Sequence, residues 1–432
     1  MSKAIKQVLT ATAAAVMATA AVADDSFEYH GYWRLGFNTD AALNQPYSEQ
    51  STSGYTSRHT HAPNWMSLRL TKKWQDGSVF KVALDEGGPV THEVGWNQFA
   101  QFKFRDAYLQ TPISDKSSIW AGSRNIEFED VRLFDVGNPF NTDGYGLGGQ
   151  FDKTFVTLSF AKSTRSVNYS YTDTADNQTK NSSFDLDLKD VTLLARHEID
   201  LGNGRMLAPM VKVTKYGSNK DAANFREVKP NETNINAQDV EGATSYRVGA
   251  VLNRGGEGYW GREILWYDAT PVDVMDGSKG SDTTIGLWES AGYELGDYGV
   301  LLAAGIQSKS FKNGKQQFKA QDGLYVADGS KTSTSQIVYA LGVQPIYYVT
   351  PRFHTALDVA YSGTDKVLSS SSANGFTVTP ILRYAMNKSV TGAPEIYTSI
   401  TYGQYAAKVK TGTDGKPTDQ LITTQSGFEI WF

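Results

Sequence analysis

A period of two runs through almost the whole chain, and it constrains the fold more than any other feature. In the first segment Phe27, Tyr29, Trp33, Leu35 and Phe37 share one face, and Glu28, His30, Tyr32, Arg34 and Asn38 share the other. Met66, Leu68 and Leu70 are set against Trp65, Ser67 and Arg69, and Phe80, Val82 and Leu84 against Lys81, Ala83 and Asp85. The pattern returns in Val156, Leu158 and Phe160 against Phe155, Thr157 and Ser159, and in Leu357, Val359 and Tyr361 against Ala356, Asp358 and Ala360. It closes the chain with Phe428, Ile430 and Phe432 against Glu429 and Trp431. Successive side chains of a strand point to opposite faces, so this alternation predicts strands with one apolar and one polar face. Asp76-Gly77, between the second and third segments, predicts a hairpin turn. No period of 20–50 residues repeats, which disfavours a solenoid or propeller.

Such strands suit either a soluble sandwich or β-helix, with the apolar face buried, or a barrel in lipid, with that face turned outward. The N-terminus bears on the choice. Lys3 and Lys6 precede an uncharged, Ala-rich stretch over 8–22, and Ala21-Val22-Ala23 offers a small-x-small cleavage site before Asp24. This reads as a signal peptide over 1–23, with 24–432 as the exported domain. The stretch is shorter than the roughly 20 apolar residues a spanning helix needs, and no later window qualifies. A closed barrel is the other way to satisfy the backbone in lipid. Segments of about ten residues suit tilted crossing strands. Aromatic residues near their ends suit interfacial girdles. Short turns alternate with long polar stretches such as 172–183 and 218–243. The expected fold is therefore all-β: a transmembrane antiparallel β-barrel in contact with outer-membrane lipid.

Composition removes other classes. The absence of Cys excludes disulfides, thiol catalysis and cysteine-held metals. The formal charge is −5, or −7 without Lys3 and Lys6, which argues against nucleic acid as a partner. No Gly-x-Ser-x-Gly elbow or Ser-His-Asp/Glu arrangement suggests a barrel enzyme. His59 and His61 form a His-x-His without an evident third ligand, so neither a metal nor a cofactor is expected.

Several stretches resemble the maltoporin family of sugar-specific porins. They are His30-Gly31-Tyr32-Trp33-Arg34, Phe104-Arg105-Asp106-Ala107, Ser118 to Arg124, and Asp130-Val131-Arg132-Leu133-Phe134-Asp135 with the Gly-rich run 144–149 after it. The ending Phe428-Glu429-Ile430-Trp431-Phe432 is similar as well, and an aromatic last residue is common among bacterial outer-membrane proteins. The resemblance is good over 27–160 and 345–432 and weak between them. It implies a barrel of 18 strands with a third loop folded into the pore, assembled as a homotrimer. Length alone would also admit sixteen strands.

A sugar stacks its C–H faces on aromatic rings, and its hydroxyls need polar partners to replace lost water. The resemblance implies an aromatic slide beside a polar track. Tyr32, Trp65 and Trp431 match slide residues. Trp96, allowing a shift of one, matches a tryptophan that reaches in from a neighbouring protomer. Arg34, Arg105 and Asp135 match the track, and Arg58 matches it with a shift of one. Phe128 stands where the family has a constriction arginine, Gly137 where it has a tyrosine, Ser67 where it has a glutamate and Thr391 where it has a slide tryptophan. Tyr259, Trp260 and Trp266 are candidates for one further slide position. The implied function is a passive, sugar-selective diffusion channel for oligosaccharides. The alternatives are a general diffusion porin with little sugar preference and an adhesin or receptor surface built on the long loops.

Overall fold

The computed structural model describes residues 26–38, 64–88, 103–128, 138–219, 232–237, 240–271, 281–321, 324–368, 374–391, 394–410 and 417–431. The signal peptide expected over 1–23, His59 and His61 lie outside them. Among the described residues no helix is long and apolar enough to cross a membrane.

Twenty strand segments form one sheet. The first ten are β1 (Phe27–Asn38), β2 (Asn64–Lys73), β3 (Val79–Gly88), β4 (Lys103–Ser114), β5 (Ser117–Ile126), β6 (Thr142–Phe151), β7 (Thr154–Asp173), β8 (Gln178–His197), β9 (Ile199–Gly202) and β10 (Arg205–Lys215). The others are β11 (Glu232–Ala237), β12 (Thr244–Gly256), β13 (Tyr259–Pro271), β14 (Ser281–Leu295), β15 (Tyr298–Gln321), β16 (Leu324–Tyr348), β17 (Phe353–Thr364), β18 (Gly375–Ala385), β19 (Glu395–Lys410) and β20 (Pro417–Trp431). β9 continues β8 along β10, and β11 pairs with β7 from the loop before β12. Setting these two aside leaves eighteen wall strands, each antiparallel to its chain neighbours. β1 pairs with β20 from Tyr32↔Trp431 to Asn38↔Gln425, so the sheet closes on itself. The expected barrel is the observed one.

Closure follows from the alternation. Leu265, Ile285, Leu341, Leu382 and Ile400 are exposed on the outer face, while Asp358, Gln344, Arg383 and Thr379 are buried on the inner one. That inverts a soluble protein and suits a wall between lipid and a polar lumen. Tyrosines pair across strands at both edges of the apolar band. Tyr298–Tyr347 and Tyr259–Tyr293 lie towards the short turns, with ring centroids 5.2 and 6.4 Å apart. Tyr246–Tyr267 and Tyr339–Tyr361 lie towards the long loops, at 6.1 and 5.9 Å. Eight residues separate Tyr259 from Tyr267 on β13. At about 3.4 Å per residue and a tilt of about 40° this spans about 20 Å, near the height of an apolar band.

The predicted turn at Asp76-Gly77 is present. Gly77 has φ +82°, and Asp76 Oδ1 accepts the Ser78 N–H at 2.8 Å. The polar stretch 172–183, expected as a loop, is instead the tip of the β7–β8 hairpin, with Thr172↔Thr179 and Tyr171↔Lys180 still paired. The stretch consists mostly of Ser, Thr, Asn and charged residues, and even the buried position Asp173 is polar, so no apolar alternation marks the continuing strands. At this tip Lys180 bonds Asp173 at 2.6 Å and Asp176 at 2.8 Å, and its hydrogen bond holds the Asp176 carboxyl below the ordinary range. Part of the second expected loop, 218–243, is strand β11. Wall strands are also longer than about ten residues, reaching 24 in β15 and 25 in β16.

The third loop enters the lumen. Phe140 is fully buried among Met210, Val251, Ile264 and Trp266, all on the inner wall. Lys212 Nζ donates to the Asn141 carbonyl at 2.7 Å, and Arg247 donates to the Pro139 carbonyl while pairing with Asp268 at 2.9 Å. Gly249 opens the space, since a Cβ there would stand 3.0 Å from the Phe140 ring. Further along the same wall the Trp266 and Trp288 rings are parallel, with centroids 6.3 Å apart. Trp266 lies across Gly286 and Trp288 across Gly305, where an added Cβ would collide with either ring. Gly286→Val should therefore cost about 1–3 kcal/mol by overpacking. The expected readout is a lower temperature for loss of compact mobility on detergent gels, and an unchanged temperature would mean that Trp266 does not rest on this glycine.

Candidate lumen site

The register of β20–β1–β2 brings four of the sequence-derived candidate positions into two neighbouring rows. Trp431, Tyr32 and Ser67 are register partners in one row. Glu429, Arg34 and Trp65 are partners in the next. Residues opposite one another in an antiparallel pair share a face, so the aromatic and charged positions stand side by side. Tyr32 is half-buried, and Arg34 is buried across from the buried Glu429. Trp65 and Trp431 are described through their backbone pairing alone.

Arg105 sits at a bulge. Ala83 pairs with Asp106 and Leu84 with Phe104, leaving Arg105 as the extra residue between them. A bulge re-aims side chains, and here Phe104 is exposed on the outer face while Arg105 and Asp106 both point inward. Arg105 Nη1 meets Asp85 Oδ2 at 2.6 Å, and its Nη2 pairs with Glu127 at the start of the third loop. Its charge is thus spent partly on holding that loop to the wall. Arg58, Trp96, Asp135 and Gly137 lie outside the described residues.

The other sequence candidates separate. Tyr259 is 42% exposed on the outer face and stacks on Tyr293, so it belongs to the girdle. Strand alternation puts Trp260 and Trp266 on the lumen side, but Trp266 is only 5% exposed, packed in the cluster that includes Phe140. Thr391 lies in the turn between β18 and β19, its Oγ1 2.8 Å from Ser389 Oγ. That turn folds back onto the wall: Val390 N–H donates to Glu294 at 2.6 Å, and Arg383 donates to the Ser389 carbonyl at 2.6 Å. Phe128 meets Phe155 edge to face at 6.2 Å, and the Arg196 guanidinium lies 5.0 Å from its ring centre.

A cavity of about 380 Å³ opens beside this loop start, against β2 to β8. Its lining includes Arg69, Lys81, Arg105, Arg124, Lys153 and Arg196. Of these only Arg105 was singled out from sequence. The signal for Arg69 and Lys81 was present, since both lie on polar faces of alternating segments, but a lone inward cation is unremarkable until neighbouring strands are in register. Among the described residues no group of His, Cys, Asp and Glu has a metal-holding arrangement.

A model of the LamB porin family matches residues 27–432. Similar solved structures include Pseudomonas aeruginosa OccK1, 9% identical, covering 95% of this chain and 99% of that one with a TM-score of 0.45. Acinetobacter baumannii OccAB4 is 12% identical, covers 95% and 99%, and has a TM-score of 0.44. Pseudomonas aeruginosa OccK3 is 9% identical, covers 94% and 95%, and has a TM-score of 0.44. The family match runs from the first wall strand to the last residue, and the chain belongs to the LamB porin family, outer-membrane channels rather than enzymes.

Proposed function

We propose that this porin is a passive, sugar-selective diffusion channel working as a homotrimer. Sugars move along an aromatic slide of Tyr32, Trp65, Trp431 and, from a neighbouring protomer, Trp96. Their hydroxyls exchange water for a polar track of Arg34, Arg58, Arg105 and Asp135. The observation that carries this reading is the β20–β1–β2 register, in which Trp431–Tyr32 and Arg34–Trp65 are adjacent rows. Rings alone would hold a sugar's C–H face and strip its hydroxyls, whereas rings beside charges offer both surfaces at once. Each contact is modest, so the sugar leaves as readily as it enters. Flow is down a gradient and needs no cofactor.

One observation favours the rival of a general porin. Trp266 and Trp288 stand on the lumen side but are buried among packed side chains and offer a passing sugar almost no exposed ring. Ion current through the purified trimer in a planar bilayer separates the two. Oligosaccharides should block it saturably, and Trp65→Ala or Trp431→Ala should each weaken the block by about threefold to tenfold. Undiminished current at every sugar concentration would make this a general porin.

Two further outcomes follow from the same reading. Arg247→Ala removes a bond that, together with that of Lys212, holds the returning third loop to the wall, so open-channel conductance and current noise should both rise. Equal conductance would mean the loop's position does not set the bore. Residues 1–23 act as the export signal, so the intact mass of outer-membrane protein should match a chain starting at Asp24. A mass retaining the leader would rule this out.

A further inference from the structure

The cationic cavity has a feature that a path for neutral sugars does not require. Six lining residues are Lys or Arg, against the three acids Asp106, Glu127 and Glu198. Counting Asp85, which pairs with Arg105 just behind the lining, a surplus of two positive charges remains among the described residues. The pairings concentrate this surplus. Arg105 is held by Asp85 and Glu127, and Arg196 by Glu198 at 3.2 Å. Arg69, Lys81, Arg124 and Lys153 make no ion pair among the described residues.

Register gathers three of these four. Arg69 pairs with Ala83, which pairs with Asp106, and Arg124 follows Ser123, the partner of Ala107. Lys81 pairs with Tyr108 in the neighbouring row. Arg124 is also fixed in place, its guanidinium carbon 4.6 Å from the Tyr108 ring centre and 5.1 Å from that of Trp120. A stacked guanidinium keeps its planar fork of donors, which matches a carboxylate or phosphate. The inward positions of β6 opposite Arg124 and beyond are Gly144, Gly146 and Gly148, and the last of these makes room for the Trp120 ring on which Arg124 stacks. Phe128 and Phe155 line the same cavity and offer apolar surface within reach of the cations.

We propose that this cavity is a binding station for an anionic sugar, one carrying a phosphate or carboxylate group. Arg124, Lys81 and Arg69 take the oxyanion, and the Phe128–Phe155 pair takes a C–H face of the ring. The proposal rests on the sugar-channel reading and narrows its substrate class. The cost of crowding like charges in a half-buried wall is offset when an anion enters, which a neutral sugar does not achieve.

The test is ion current through the full trimer at low ionic strength, with glucose, glucuronate, glucose 6-phosphate, a neutral glucose trisaccharide and inorganic phosphate as separate blockers. A charged sugar should block at a concentration about tenfold or more below glucose. Arg124→Gln and Lys81→Gln should each remove most of that advantage while leaving block by the neutral trisaccharide unchanged. Lys81→Gln alters no ring stack, so it reports on charge if Arg124→Gln impairs assembly. The stronger of glucuronate and glucose 6-phosphate names the anionic group. Equal block by glucose and both charged sugars overturns the proposal and leaves the sugar channel standing. Inorganic phosphate blocking as tightly as glucose 6-phosphate overturns it too, since the cavity would then read a bare anion. Absence of block by any sugar sinks both readings together.

Discussion

Hydrocarbon offers the backbone no hydrogen-bond partner, so a sheet in lipid must have no edge. The pairing of β1 with β20 meets that constraint, and the rest of the molecule hangs on it. Without it, the N–H and C=O groups of two strands would face lipid unpaired, at several kcal/mol for each group. Closure also writes the lumen. It brings Tyr32 opposite Trp431 and Arg34 opposite Glu429, residues almost four hundred positions apart in sequence. A slip of one residue in this pair would turn one strand's inward residues to lipid, a buried Arg or Glu among them, so the apolar band and the register enforce each other.

The two faces of the wall carry different kinds of information. On the outer face Leu, Ile and Val are nearly interchangeable, because lipid asks only for apolar surface, and Tyr pairs mark where it ends. On the inner face each position is particular. Gly286 and Gly305 exist so that Trp266 and Trp288 can lie flat against the wall, and Gly249 so that Phe140 can enter. Lys212 and Arg247 donate to backbone carbonyls of the loop they anchor. The bulge at Arg105 breaks alternation to send two consecutive charged residues into the lumen, one of them to grip the loop's other end through Glu127.

That difference explains what could be read from sequence. Alternation in segments such as Leu357–Tyr361 names the outer face directly, and Asp76-Gly77 names a turn. Strand continuation past Tyr171 and Thr172 was not readable, because the positions that follow, the buried Asp173 included, are polar and carry no periodic apolar signal. Tyr259 was misplaced because the weak family resemblance in the middle of the chain gave no register, and one position decides between girdle and lumen. The lumen rows were partly readable: Tyr32, Arg34, Trp65 and Trp431 fall on polar faces. The cationic cavity was not, since Arg69, Lys81 and Arg124 come from three strands and only pairing makes them neighbours.

The two lumen features share a strand. On β2 positions 65, 67, 69 and 71 share one face, so the row of Trp431 and Tyr32, at position 67, lies about 7 Å from Arg69 of the cationic cavity, and position 65 about 13 Å from it. A ligand the size of a disaccharide could therefore touch both at once, and β2 is where a step from one to the other would occur. Such an arrangement can raise capture without trapping the ligand, because binding is divided between stations rather than deepened at one. The cations also act beyond contact. Low-dielectric walls focus the field of a charged lining along a lumen, so an anion is drawn inward before it meets Arg124. The same field repels small cations, and a channel whose overall charge is negative thus acquires a locally positive passage from the placement of a few lysines and arginines.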